Sequence, residues 1–208
     1  MPNPLLSKLP VDQLPADFQR VREASIAVAG DGERLEVFGH HPAIYRFYQS
    51  TFYGAFFDNA GGDMVVERKW KELMRLKLSL TNGCFVCNAH NVPAAAAAGY
   101  SQAQIDAMGD SHSPLFSAQE QAVLELGELF AIANGDPQLT PELYDKLSRF
   151  FTDAQILELG FFATIVSGWT KLVFAYDLIT RECSIDDASR KATPSQVHLK
   201  AATVSTAT

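Results

Sequence analysis

The residues in this chain best suited to chemistry are Cys84-Phe85-Val86-Cys87-Asn88-Ala89-His90. Two cysteines at x-x spacing with a histidine one helical turn further on make a redox-capable thiol pair beside a proton carrier. If the stretch is helical, Cys84 and Cys87 are separated by about 4.5 Å of rise. That is compatible with the Cα separation of roughly 4.4–6.8 Å that a disulfide tolerates. Cysteine reacts as the thiolate, which the unpaired N–H groups of a helix N-terminus favour. Gly83 breaks the chain just before Cys84 and so places both thiols in a first turn. His90 follows Cys87 at i+3 on roughly the same face. It can take the thiol proton or return it to a leaving oxygen.

Such a pair needs elements to hold it. Val66–Leu80 reads as a helix with Val66, Trp70, Leu73, Met74 and Leu78 inward, and Thr81-Asn82-Gly83 is a short turn into a second helix from Cys84. Asn82 is a candidate cap for that second helix. In an antiparallel hairpin Glu72 lies roughly 13 Å down the first helix and His90 roughly 9 Å down its partner. With axes about 8–10 Å apart, Glu72 can face His90 and Cys87 and orient the imidazole. Lys71, Arg75 and Lys77 are less suited to that task. Blander readings exist for each residue. A cysteine is often a small buried apolar residue, and Glu72 could simply be solvated. Zinc would require Cys84, Cys87 and His90 to converge from about 9 Å of continuous helix, whereas structural zinc sites draw ligand pairs from separate segments. No metal and no cofactor is therefore expected. Cys183 reads as a lone structural thiol; His40, His41, His112 and His198 have no carboxylate or thiol pattern around them; Trp70 and Trp169 fall at core spacing.

The rest of the chain is helical in pattern. Apolar residues recur at helical spacing and β-branched runs are scarce, so the fold class is all-α, a single-domain multi-helix bundle. Residues 1–64 form an N-terminal arm and helices, 65–180 the core, and 181–208 a tail expected to be mobile. Residues 1–16, with Pro2, Pro4, Pro10 and Pro15, look extended, and a helix follows from Asp17. Pro42 opens an aromatic-rich helix through Phe56. Pro93 should kink or restart the helix that begins at Cys84, Gly99 suits its end, and Ser101-x-x-Gln104 is a capping box for a short next helix. Ser117–Ala133, Thr140–Phe150 and the apolar Thr152–Leu178 complete the set. A net charge of -7 speaks against nucleic acid, which needs a basic face. The apolar run at Leu157–Val166 is broken by Glu158 and Gly160, too short to span a membrane. Without an apolar leader, the expected location is cytoplasmic.

The stretch from Lys71 to His90 resembles the alkylhydroperoxidase AhpD and carboxymuconolactone decarboxylase family, whose members carry a Glu twelve positions before a Cys-x-x-Cys behind an Asn-Gly turn. Ala97-x-Gly99-Tyr100-Ser101-x-x-Gln104-Ile105 and Thr152–Leu159 resemble its helix junctions, and the match covers about residues 65–180. The family's peroxidatic members usually place the histidine at the position of Asn91 here, one residue beyond His90. The resemblance implies an AhpD-like fold, a homo-oligomer that is a trimer or hexamer, and a peroxide substrate reduced by the cysteine pair. It implies that Cys87 is peroxidatic and that Cys84 resolves it, with an external dithiol reductant protein resetting the disulfide. The function expected is a thiol-dependent peroxidase with Glu72 and His90 as its proton relay. The alternatives are a carboxymuconolactone decarboxylase-like lyase acting on a small organic acid and a non-catalytic thiol redox sensor.

Overall fold

A computed structural model describes residues 2–181, and its regular elements are all helical. The stretch read as a tail lies beyond Arg181, with Cys183 and His198, outside the described residues. Helix α1 is Ala16–Ala29, α2 Arg34–Phe38 and α3 Pro42–Arg46; α4 is Arg68–Thr81, α5 Phe85–Ala97 and α6 Gln102–Asp106; α7 is Ala118–Leu129, α8 Pro141–Ser148 and α9 Asp153–Ala175.

Helix α4 is the centre of the bundle and packs against α5, α7 and α9. Its inward positions Leu73, Met74, Leu76 and Leu78 are all fully buried. Each such side chain stabilises the fold by about 1.5–3 kcal/mol. Asn82 ends α4 rather than starting α5, and its Oδ1 accepts the Ile132 N–H at 2.9 Å. Gly83 follows with φ of 66°, a left-handed conformation that costs glycine nothing for want of a Cβ. The chain then doubles back into α5, which runs through Pro93 without restarting.

Thr152 opens α9 with a capping box to Gln155, and Ser101 with Gln104 does the same for α6. By length and composition α9 could cross a membrane. Here it packs on α4, α7 and α8 and carries the buried Glu158, whose carboxylate lies 2.7 Å from Lys71 Nζ. The same carboxylate accepts the Val65 N–H at 2.7 Å and the Val66 N–H at 3.2 Å.

The aromatic segment behaves differently from its pattern. The sequence predicts one helix from Pro42 through Phe56, and the extent agrees. Past Arg46, however, the winding loosens into a π-helix over Phe47–Phe57, closed by Asp58 N–H donating to Tyr53 O at 2.8 Å. The wider turn crowds Tyr48, Phe52, Tyr53, Phe56 and Phe57 into successive ring contacts. Such windings are rare and concentrate at functional sites.

Two cores result. The larger one surrounds α4 and α9. The second joins Leu14, Phe18, Leu35, Phe38 and Tyr45 of the N-terminal helices to Cys84 and Val86, and to Val173, Phe174, Leu178 and Ile179 at the end of α9. The thiol turn belongs to this second core.

Candidate active site

Cys84 is the N-cap of α5 rather than its first helical residue, with an extended backbone, φ of -88° and ψ of 95°. Cys87 sits three positions in, and the two are joined as a disulfide with Cα atoms 5.2 Å apart. The reason is local. A residue at the N-cap turns its side chain toward the N–H of the third helical residue; here Cys84 Sγ accepts the Cys87 N–H at 3.3 Å. Cys84 N–H donates to Ser79 O at 3.0 Å, and its carbonyl accepts from Asn88 N–H at 2.9 Å. A single antiparallel bridge ties the Cys84 backbone to Arg181. Cys84 is fully buried, whereas Cys87 keeps part of its surface exposed.

That exposed side opens on a cavity of about 330 Å³. His90 and Asn91 from α5, Arg75 and Ser79 from α4, and Trp169 and Thr170 from α9 line it with Cys87. The other wall comes from the first sixty residues: Ser25 of α1, Arg34 of α2, and Tyr45, Tyr48 and Tyr53 of the aromatic helix. Tyr48 and Trp169 stack nearly parallel, ring centroids 3.6 Å apart.

His90 is exposed at the rim. Burial of its inner side, then the charges of Arg34 and Arg75, hold its imidazole below the ordinary value. A ring held below about 6.5 is neutral near pH 7 and able to accept a proton.

Glu72 is 2% exposed but takes other partners than the imidazole. Its oxygens meet Arg75 Nη2 at 2.5 Å and Arg68 Nε at 3.2 Å, and no hydrogen bond joins it to His90 among the described residues. Arg75 is the link: it reaches the cavity from the residue that neutralises it. Burial opposes the Arg75 charge, but Tyr53 and Glu72 beside it outweigh that and its pKa is raised. Desolvation also drives the Tyr48 phenol well above its ordinary value. Asn91 is buried and donates weakly to Arg75 O at 3.5 Å.

Arg34, Arg75, Tyr48, Tyr53 and Trp169 were not legible as site residues. Arg75 stands one turn after Glu72, which was a usable signal. The aromatic residues carried a core pattern, and no spacing ties residues 34–53 to a motif that starts at 84.

No family model and no curated protein matches the sequence. Solved structures do. ATU0492 of Agrobacterium tumefaciens, a protein of unknown function suggested as an antioxidant defence protein AhpD, superposes with a TM-score of 0.58 at 19% identity, over 69% of this chain and 94% of its own. An uncharacterised peroxidase-related protein with an alkylhydroperoxidase AhpD core, from Ralstonia eutropha JMP134, gives 0.61 at 14% over 91% and 97%. The debrominase Bmp8 gives 0.63 at 17% over 94% and 98%. A cysteine-to-alanine variant of Bmp8 has been solved with 2,3,4-tribromopyrrole and gives 0.62 at 17%. The chain has the AhpD-like fold.

Proposed function

We propose that this AhpD-fold protein is a thiol-dependent oxidoreductase whose substrate is a peroxide. The observation that carries the reading is the asymmetry of the cysteine pair: Cys84 is sealed beneath the helix start while Cys87 faces an open cavity with His90 at its rim. In the reduced state the neutral imidazole takes the Cys87 proton. The thiolate attacks the O–O bond, giving a sulfenic acid on Cys87 and releasing an alcohol, or water from hydrogen peroxide. The Cys84 thiol condenses with the sulfenic acid, forming the disulfide and releasing a molecule of water. An external dithiol, oxidised in its turn, restores the pair. Glu72 enters this scheme through Arg75, holding a guanidinium in the wall of the cavity that Cys87 also lines, and His90 carries the proton. The disulfide cycle requires a reducing partner, which fits a cytoplasmic setting.

The test is peroxide consumption with a dithiol supplied, by the wild type and by Cys87→Ser. Turnover in the first and none in the second supports the reading; no turnover by the wild type sinks it. The ring-rich cavity favours one other reading, thiol-driven reductive dehalogenation of an aromatic ring. There the two thiols supply two electrons, carbon gains a proton and halide leaves. Halide release from a bromoarene in place of peroxide consumption would select it.

A further inference from the structure

The cavity beside Cys87 has a charge that the dithiol cycle uses only in part. Two guanidiniums line it, Arg34 and Arg75, and no carboxylate does, although the chain as a whole carries -7. The two arginines differ. Arg75 is compensated by the buried Glu72, while its Nε is buried with no hydrogen-bond partner among the described residues. Arg34 donates to neutral oxygens, Ser25 Oγ at 2.8 Å and the Asp31 carbonyl at 3.3 Å, and forms no ion pair among the described residues. A guanidinium offers a planar fork of donors that matches a carboxylate. Partly buried at a cavity whose lining holds no carboxylate, with only the Asp31 carboxylate near enough to offset part of its charge, it concentrates anions. The field reaches across the cavity, since Arg34 and Arg75 both help hold the His90 imidazole in its neutral form.

Beside a few polar groups such as Gln49 and Asn91, much of the remaining lining is aromatic and aliphatic, including Tyr45, Tyr48, Tyr53, Trp169, Val166 and Val173. Tyr48 is fixed flat on Trp169, and Trp169 is stacked in turn on Phe38 at 5.1 Å. A space of about 330 Å³ is at the small end of ligand sites, with room for one or two rings and an acid group. We infer that the molecule reduced at Cys87 is a small aromatic acid, held with its ring against the edges of Tyr48 and Trp169, whose faces are taken by each other and by Phe52 and Phe38, and with its anionic group on Arg34. The assignment rests on the reading of this cavity as a reductase site. It concerns the part of the substrate that does not react, so it holds for a hydroperoxide and for a ring halide alike.

The test is calorimetric binding of 2-naphthoate and 2-naphthamide to the oxidised wild type, in which the disulfide keeps redox chemistry out of the reading. The acid should bind about tenfold tighter or more, the scale of a charge-assisted hydrogen bond. Arg34→Met should abolish that preference and Arg34→Lys should keep part of it. Cyclohexanecarboxylate, which offers the ring edges no aromatic face, should bind more weakly than benzoate. Equal binding of acid and amide, or a preference undiminished in Arg34→Met, overturns the anion assignment; equal binding of the two single-ring acids overturns the aromatic one. If Arg34→Met does not fold, the wild-type comparison decides alone. Peroxide turnover is read separately. A protein that selects naphthoate and consumes no peroxide keeps this inference and removes the peroxidase reading, and the reverse pattern does the opposite.

Discussion

At the scale of single residues, position and reach pull the two thiols in opposite directions. Cys84 occupies the helix start and accepts an N–H bond, which favours its thiolate, yet it is fully buried. Cys87 borders the cavity, and an oxidant must touch the sulfur it oxidises. We therefore expect Cys87→Ser to abolish peroxide reduction and Cys84→Ser to allow one oxidation to a trappable sulfenic acid. The opposite pattern under mass spectrometry would reverse the roles. For His90 the direction follows from its surroundings. Burial, Arg34 and Arg75 depress its pKa, so a base that must be neutral stays active below pH 6.5 and fails only as pH falls through the lowered value. Because the native state disfavours protonated His90, its share of folding stability is full above about pH 6.5 and is lost as pH drops below that. Imidazole titration by NMR should find the lowered pKa and show it rising in Arg34→Met. His90→Ala should slow sulfenate formation by about 100- to 10,000-fold if the ring supplies general base catalysis, and stopped-flow thiol oxidation would measure it.

At the scale of elements, what could be read from the sequence depended on how regular the local rule was. Trp70, Leu73, Met74 and Leu78 identified α4 by period alone, and all four are buried; Val66, read as its first turn, is buried just ahead of it. Ser101 with Gln104 marked a helix start that carries the reciprocal bonds. The π-helix was not readable, because a change of winding inside an aromatic run leaves the same residues in place. Helix α2, five residues long, is too short for a periodic pattern, and so Arg34 went unplaced. Buried charge was equally opaque: Lys71 and Glu158 are far apart in sequence but meet at 2.7 Å, side chains 1% and 7% exposed. Glu158→Ala should cost about 3–5 kcal/mol, since it strands a buried ammonium; it also removes the acceptor of two backbone N–H groups. Urea unfolding of this variant beside Lys71→Met/Glu158→Leu should show the double replacement less destabilising than the single one. If both cost the same, the ion pair is not what the site depends on.

At the scale of the whole molecule, one apolar face of α9 is left exposed among the described residues. Leu157 and Phe161 on α9 are 75% and 52% exposed and line a shallow apolar depression with Leu139 and Tyr144. The protein is proposed to assemble through this face into a homo-oligomer, a trimer or a hexamer. Light scattering at micromolar concentration should give a multiple of the 22.8 kDa chain, and Leu157→Glu with Phe161→Glu should return it to one copy. A wild-type monomer would end the idea. The AhpD-like part of the fold was legible from a single stretch, Glu72 to His90, because a redox pair at a helix start tolerates little variation in spacing. The first sixty residues carried no comparable signature, and they supply one side of the cavity wall.

That two-sided construction bears on how such a protein changes over generations. The sulfurs and the proton carrier are borne on one helix and its turn, while Ser25, Arg34, Tyr45, Tyr48 and Tyr53 reach the same space from helices that contain none of the reacting atoms. Substitutions among those five can alter what is admitted while leaving the thiol turn as it is. Drift on that side is therefore tolerable, and relatives with one redox centre can come to serve unrelated metabolites.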